Sequence, residues 1–187
     1  MKKTTALTVL IAGLIMSATA VADSHSISVG YAQSKVQNFK NMPGVNLQYR
    51  YEWDSPVSLL TSFTALQNDE DDSGNFMGIK TNDHVKAEYY SLMVGPAWRL
   101  NDYISLYALA GMSHSTMERN ARDYDYYGHP ERINFSDRSN AFAYGAGVIF
   151  NVTEHVTINA GYEGSRTSVE AQKRSVNGVN VGMGYRF

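Results

Sequence analysis

Strict two-residue alternation, sustained over membrane-spanning lengths, constrains this chain more than any other feature. One parity from position 45 carries Val45, Leu47, Tyr49, Tyr51 and Trp53, while the other carries Asn46, Gln48, Arg50 and Glu52. Successive side chains of an extended chain point to opposite faces, so the segment reads as a strand with one apolar and one polar face. A water-soluble sandwich strand shares the period but usually ends after about five or six residues. The pattern returns as Ile104, Leu106, Ala108, Ala110 and Met112 against Ser105, Tyr107, Leu109, Gly111 and Ser113. It returns again from Phe142 to Val152, from Val156 to Glu163 and from Gly178 to Phe187, and more weakly around Ile27, Val57 and Tyr90. These segments make eight strands, the even number that a closed single-chain barrel requires.

The mean hydropathy is negative, and past the N-terminus the chain holds no long apolar run. Strands that alternate lipid-facing with lumen-facing residues average out in this way. Inside a bilayer each backbone N–H and C=O must find its partner within the protein, so a chain without an apolar helix crosses only as a closed barrel. The expected fold class is therefore all-β, an eight-stranded antiparallel transmembrane β-barrel. Short turns are expected at Asp54-Ser55-Pro56, Asn101-Asp102 and Thr153-Glu154-His155. Longer polar loops are expected over 36–43, 68–85, 117–138 and 166–173. Short turns belong to the periplasm and long loops to the outside, which places both termini in the periplasm. Trp53, Trp98, Tyr103 and Phe150 gather beside the short turns, where a girdle of amphipathic rings would lie.

The N-terminus agrees with export. Lys2 and Lys3 precede an apolar run from Ala6 to Met16 that is too short to span, and Ala20-Val21-Ala22 has the small-x-small form of a cleavage site. The expected division is a signal peptide over 1–22 and a barrel over 23–187. Loss of Lys2 and Lys3 takes the formal net charge from −2 to −4, which argues against nucleic acid as a partner. The absence of Cys excludes disulfides, thiol catalysis and an N-terminal lipid anchor. His25, His84, His114, His129 and His155 are scattered, and no nucleophile elbow or phosphate-binding loop stands in its proper context. No catalytic residue, cofactor or metal site is expected.

The lumen of eight strands holds side chains and little else. Asn46, Gln48, Arg50, Glu52, Glu88, Tyr107, Glu163 and Arg186 are expected there as a hydrogen-bonded, charge-paired plug. Outside, the acidic run Asp69 to Asp72 reads as a solvated loop rather than a cation site, since it lacks calcium-loop spacing. Tyr124, Tyr126 and Tyr127 form a Tyr-rich patch that suits either recognition or cross-strand pairing in a β-ribbon. Arg166, Lys173 and Arg174 form a basic rim that reads either as simply solvated or as suited to phosphates of lipopolysaccharide or to sulfated glycans.

Several of these segments resemble one family of outer-membrane proteins. Val29-Gly30-Tyr31-Ala32-Gln33-Ser34, Tyr49-Arg50-Tyr51-Glu52, Val94-Gly95-Pro96-Ala97-Trp98-Arg99-Leu100, Ser105-Leu106-Tyr107, Tyr144-Gly145-Ala146-Gly147 and Gly184-Tyr185-Arg186-Phe187 are similar to the Ail/Lom/OmpX family. The stretches 30–40 and 91–96 are most like its PagC branch. The resemblance implies the same barrel, with loops associated with adhesion, invasion, complement resistance and survival in phagocytes. It also implies that Tyr185 and Phe187 act as an assembly signal for the barrel assembly machinery. The expected partners are outer-membrane lipid and lipopolysaccharide, with host matrix, cell-surface or complement proteins at the loops, and the expected state is a monomer. The alternative is a structural envelope component that stabilises the outer leaflet.

Overall fold

The computed structural model describes residues 23–36, 41–76, 79–124, 130–169 and 172–187. Eight strands follow in chain order: β1 Ser24–Val36, β2 Asn41–Glu52, β3 Val57–Phe76, β4 Ile79–Arg99, β5 Ile104–Tyr124, β6 Pro130–Asn151, β7 Val156–Val169 and β8 Gln172–Arg186. Each pairs antiparallel with the next, and β8 returns to β1, so the sheet closes. The last residue seals the seam: His25 N donates to Phe187 O and Phe187 N to His25 O, both at 2.9 Å. Closure leaves no unpaired strand edge in the body of the barrel, as a lipid environment demands.

The register fixes the shape. Partners followed from Ile27 run through Tyr49, Thr61, Val94, Ala110, Tyr144, Gly164 and Asn177 to Lys35, eight residues along β1 from the start. That stagger tilts the strands by roughly 36° and sets an interior that side chains can fill. The β4–β5 ladder is interrupted between Val94↔Ala110 and Ala97↔Tyr107, where Pro96 has no N–H to give. The register is the same on either side of the gap, so the proline costs one rung and no bulge.

The outer face carries Val29, Val45, Leu59, Phe63, Leu92, Val94, Leu106, Met112, Val179, Val181 and Met183, all exposed. At the short-turn end the rings form a continuous run. His155 stacks on Tyr185 at 5.7 Å, Tyr185 on Phe187 at 6.5 Å and Phe187 on His25 at 5.8 Å, and His25 meets Tyr51, which meets Trp53 at 5.6 Å. Trp98, Tyr103 and Phe150 lie at the same end and are also exposed. Tyr31, Tyr90, Phe142, Tyr144 and Tyr162 continue the aromatic pattern towards the other end.

Within, apolar and polar layers alternate. Leu60, Met93, Ala97, Tyr107, Leu109, Ala143 and Ile149 make one buried cluster, and Ala32, Met42, Leu66, Tyr89 and Val176 make a second. Tyr107 spans the lumen over β6 and β7, where a Cβ at either Gly147 or Gly161 would collide with its hydroxyl. Among the described residues the lumen is filled.

The polar segments expected as loops are largely strand. β3, β4, β5 and β6 run for 20 to 22 residues, against 12 to 15 for the other four. A tilted transmembrane strand needs only about 9–11 residues, so β3 to β6 extend well past the bilayer. Continued pairing satisfies backbone groups that an irregular loop would leave to water.

Candidate functional site

Two regions carry the chemistry: the lumen and the part of the sheet that projects beyond the barrel. At the short-turn end of the lumen, one buried carboxylate gathers three guanidinium groups. Glu52 lies 3.4 Å from Arg50 Nη1, 2.9 Å from Arg99 Nη2 and 3.3 Å from Arg186 Nη2. Arg50 also donates to Ser58 at 2.8 Å and Ser105 at 3.1 Å, and Arg186 to Ser24 at 3.4 Å. These bonds tie β2, β3, β4, β5, β8 and β1 together across the barrel. Arg99 was not among the residues expected in the plug. It sits on the inward parity of β4, at the last position before the turn, and that parity is the signal that identifies it.

The other half of the lumen is organised by hydroxyls. Glu163 accepts from Tyr89 at 2.7 Å and from Thr64 at 2.8 Å, and Asn46 donates to Thr64 at 3.0 Å and to Ser62 at 2.8 Å. Ser113 and Ser165 share a 2.5 Å bond beside them. Among the described residues Glu163 has no cationic partner. Between the two halves Asn159 donates to Ser28 and Gln48, both at 2.8 Å. Tyr107 is buried in the first apolar cluster.

Glu88 is the exception to the expected plug. It lies on the outer face, on the parity of Tyr90 and Leu92, where it pairs with Lys86 at 2.5 Å and accepts from Tyr90 at 3.4 Å. The reason is the pleat: Tyr89, Ser91 and Met93 point inward, so Glu88 cannot. Its hydrogen bond and charge raise the Lys86 ammonium above the usual lysine range.

Beyond the barrel the outer face of β3 to β6 is polar and of mixed charge. Gln67 donates to Asp69 at 3.0 Å, His114 bonds Asn140 at 2.7 Å, and Lys86 stands opposite Asp69 on one side and Glu118 on the other. Among the described residues two edges of this projecting sheet are open, since the β2–β3 pairing stops at Gly44↔Leu66 and the β6–β7 pairing at Ala143↔Ser165. The acidic run is part of β3, with Asp69↔Lys86 and Asp72↔Asp83 as cross-strand positions.

Tyr124 ends β5 opposite Pro130, whereas Tyr126 and Tyr127 lie outside the described residues. On the shorter side, Arg166 stands opposite Ser175, Thr167 opposite Arg174 and Ser168 opposite Lys173. The register thus brings Arg166, Lys173 and Arg174 to one hairpin, and their side chains lie outside the described part. Below that hairpin a groove of about 290 Å³ is lined by Gln33, Lys35, Asn41, Tyr162 and Asn177.

A closed antiparallel barrel with an apolar outer band, aromatic rings at its margins, a filled polar lumen and hairpins longer on one side than the other defines a small transmembrane barrel of the outer-membrane type. The chain belongs to the outer membrane protein beta-barrel domain family, which matches residues 6–187, and within it to the Ail/Lom/OmpX group. It is 45% identical to the virulence membrane protein PagC of Salmonella typhimurium over 96% of this chain and 95% of that one. It is 37% identical to outer membrane protein X of Escherichia coli K12 over the whole of both. Its fold is similar to the crystal structure of Ail, the attachment invasion locus protein of Yersinia pestis, in complex with the heparin analogue sucrose octasulfate. That match has a TM-score of 0.69 and 32% identity and covers 89% of this chain and all of the other. The protein resides in the outer membrane, with the short turns in the periplasm and the long hairpins outside.

Proposed function

We propose that this protein acts by binding rather than catalysis, as a monomer, and that its extracellular hairpins contact the host in adhesion, invasion, complement resistance or intracellular survival. The observation that carries the reading is the projection of β3 to β6 beyond the membrane with two open edges and a mixed polar face. Open edges offer main-chain donors and acceptors to an extended partner segment, and surface elements on a rigid scaffold vary without unfolding it. The basic positions Arg166, Lys173 and Arg174 add a site for sulfated glycans, a reading supported by the heparin analogue bound to the Yersinia pestis relative. The test shortens the β3–β4 and β5–β6 hairpins to tight turns at the membrane margin. Host-cell adhesion and serum survival should fall to the level of a non-expressing strain while the protein keeps the gel shift expected of a closed barrel, migrating differently in SDS gels before and after boiling. Retention of every surface phenotype would overturn the reading.

A second reading, that the barrel stabilises the outer leaflet, is favoured by the Lys35 groove on the outer margin, which fits the phosphate-bearing head of a lipopolysaccharide. It predicts that Lys35→Ser weakens retention of lipopolysaccharide in purified protein and leaves adhesion unchanged.

A further inference from the structure

The periplasmic mouth of the barrel is built unlike the rest of the lumen. A pocket of about 440 Å³ opens there, with Arg99, Arg186 and Asn151 in its walls and Asp102 and Glu154 exposed at its rim. Three guanidinium groups share the single carboxylate of Glu52, which leaves two positive charges in excess. Among the described residues these three arginines form no second ion pair. Arg186 Nε is buried without an acceptor, yet the Arg99 and Arg186 side chains are 32% and 25% exposed and can be reached from the pocket. Water is a poor complement for such a cluster, because a charged donor gains most from an anionic acceptor in fork geometry.

The opposite deficiency lies beside it. Asn151 is 7% exposed, and its amide nitrogen donates to the carbonyl of Asp102 at 2.8 Å. That bond orients the amide so that Oδ1, also buried, is left without a donor. Asp102 and Glu154 line the same pocket, and among the described residues neither forms an ion pair with the guanidiniums. A simple anion would satisfy the arginines alone, and a simple cation would satisfy only the two carboxylates. A small molecule carrying both charges satisfies the two sets together.

We propose that the periplasmic mouth binds a zwitterionic group, a paired ammonium and carboxylate on one small molecule or peptide, with the carboxylate on Arg99 and Arg186 and the ammonium turned to Asp102 and Glu154. The periplasm presents this group on free amino acids and on the stem peptides of the cell wall. In the second case the pocket would moor the barrel to the wall beneath it. The site is separate from the extracellular surface, so it stands whether or not the hairpins bind a host partner.

The experiment uses the full mature chain refolded in lipid nanodiscs and follows the amide signals of Asp102 and Asn151 by NMR. The probes are alanyl-alanine, its C-terminal amide, acetate, methylamine and a soluble stem-peptide fragment. The free dipeptide should shift both signals saturably and bind about tenfold tighter than the amide or acetate, since a charged hydrogen bond is at stake at each end. Arg99→Gln should weaken the dipeptide by about tenfold, with the gel shift as a check on folding. Glu154→Gln, an exposed substitution that leaves the barrel intact, should weaken the dipeptide and leave acetate unchanged. Tighter binding of the stem fragment than of the dipeptide assigns the site to the cell wall, and equal binding assigns it to free solutes. The proposal is overturned if the dipeptide gives no saturable shift, if acetate binds as tightly, or if Glu154→Gln leaves the dipeptide unaffected.

Discussion

The eight-stranded barrel body and the projecting sheet have their four central strands in common, yet they obey different rules. In the body every strand has two neighbours, polar side chains such as Asn46, Arg50, Asn159 and Glu163 bond between strands inside the lumen, and the outer face is apolar. Above the aromatic margin β3 to β6 keep their pairing with one another, have no outer neighbours among the described residues, and carry a polar sequence. The difference teaches that stability and recognition are stacked along the strands rather than mixed. Substitutions should therefore cost less stability, and more surface function, the further they stand from the periplasm.

The largest loss of stability should come from Glu52→Gln, which leaves three guanidiniums without their common anion. Removing one partner of a buried ionic group costs about 3–5 kcal/mol, read from urea titrations of folding in vesicles. A loss under about 1 kcal/mol would show that the cluster is dispensable. Next is Val148→Arg on the lipid face of β6, where an arginine near the bilayer midplane costs about 2–4 kcal/mol by the same measurement. Unchanged folding yield would contradict the assigned facing.

Deleting Phe187 removes the two backbone bonds to His25 and the ring stack at the seam, about 1–3 kcal/mol for the pair of bonds. In cells the same deletion should reduce insertion and leave periplasmic aggregate, because we propose that Tyr185 and Phe187 are read by the assembly machinery. Normal surface levels would count against that role.

The smallest loss should come from replacing Arg166, Lys173 and Arg174 together by Ser, within about 0.5 kcal/mol per site because their hairpin stands at the end of the β7–β8 ladder, away from the packed lumen. Binding to immobilised heparin should nonetheless collapse. The parent's binding should weaken steeply with salt, since exposed charges are screened over about 8 Å at physiological ionic strength. Salt-independent binding would remove the basic hairpin from the site.

The body was legible in the sequence because lipid and lumen impose opposite chemistries on alternate residues. In β2 this separation is complete, from Val45 to Trp53, and the parity assigns every side chain. Glu88 went astray because a charged residue was placed by its charge, although Tyr90 and Leu92 on the same parity mark it as outward. Arg99 stands on the inward parity of its strand, but its partner Glu52 lies 47 positions away in the chain, so nothing local marks the pairing. The projecting hairpins read as loops because their polar sequence shows no apolar alternation, and only backbone pairing marks them as strand. For the same reason Tyr126, Tyr127 and the basic hairpin carried no pattern that could distinguish contact from solvation.

The shared carboxylate has a consequence for the order in which the barrel is made. Arg50 and Glu52 are on the second strand, Arg99 closes the fourth, and Arg186 stands at the end of the eighth, 134 positions from Glu52. Contacts so far apart in the chain form late, because the entropy of closing long loops must be met before they return any enthalpy. The cluster is therefore complete only when the final strand has docked beside the first. Until then Glu52 faces an unfinished, wetter lumen with fewer counter-charges. The ionic layer works as a latch on the finished cylinder: it adds little to a half-built sheet and most to one that has closed in the correct register.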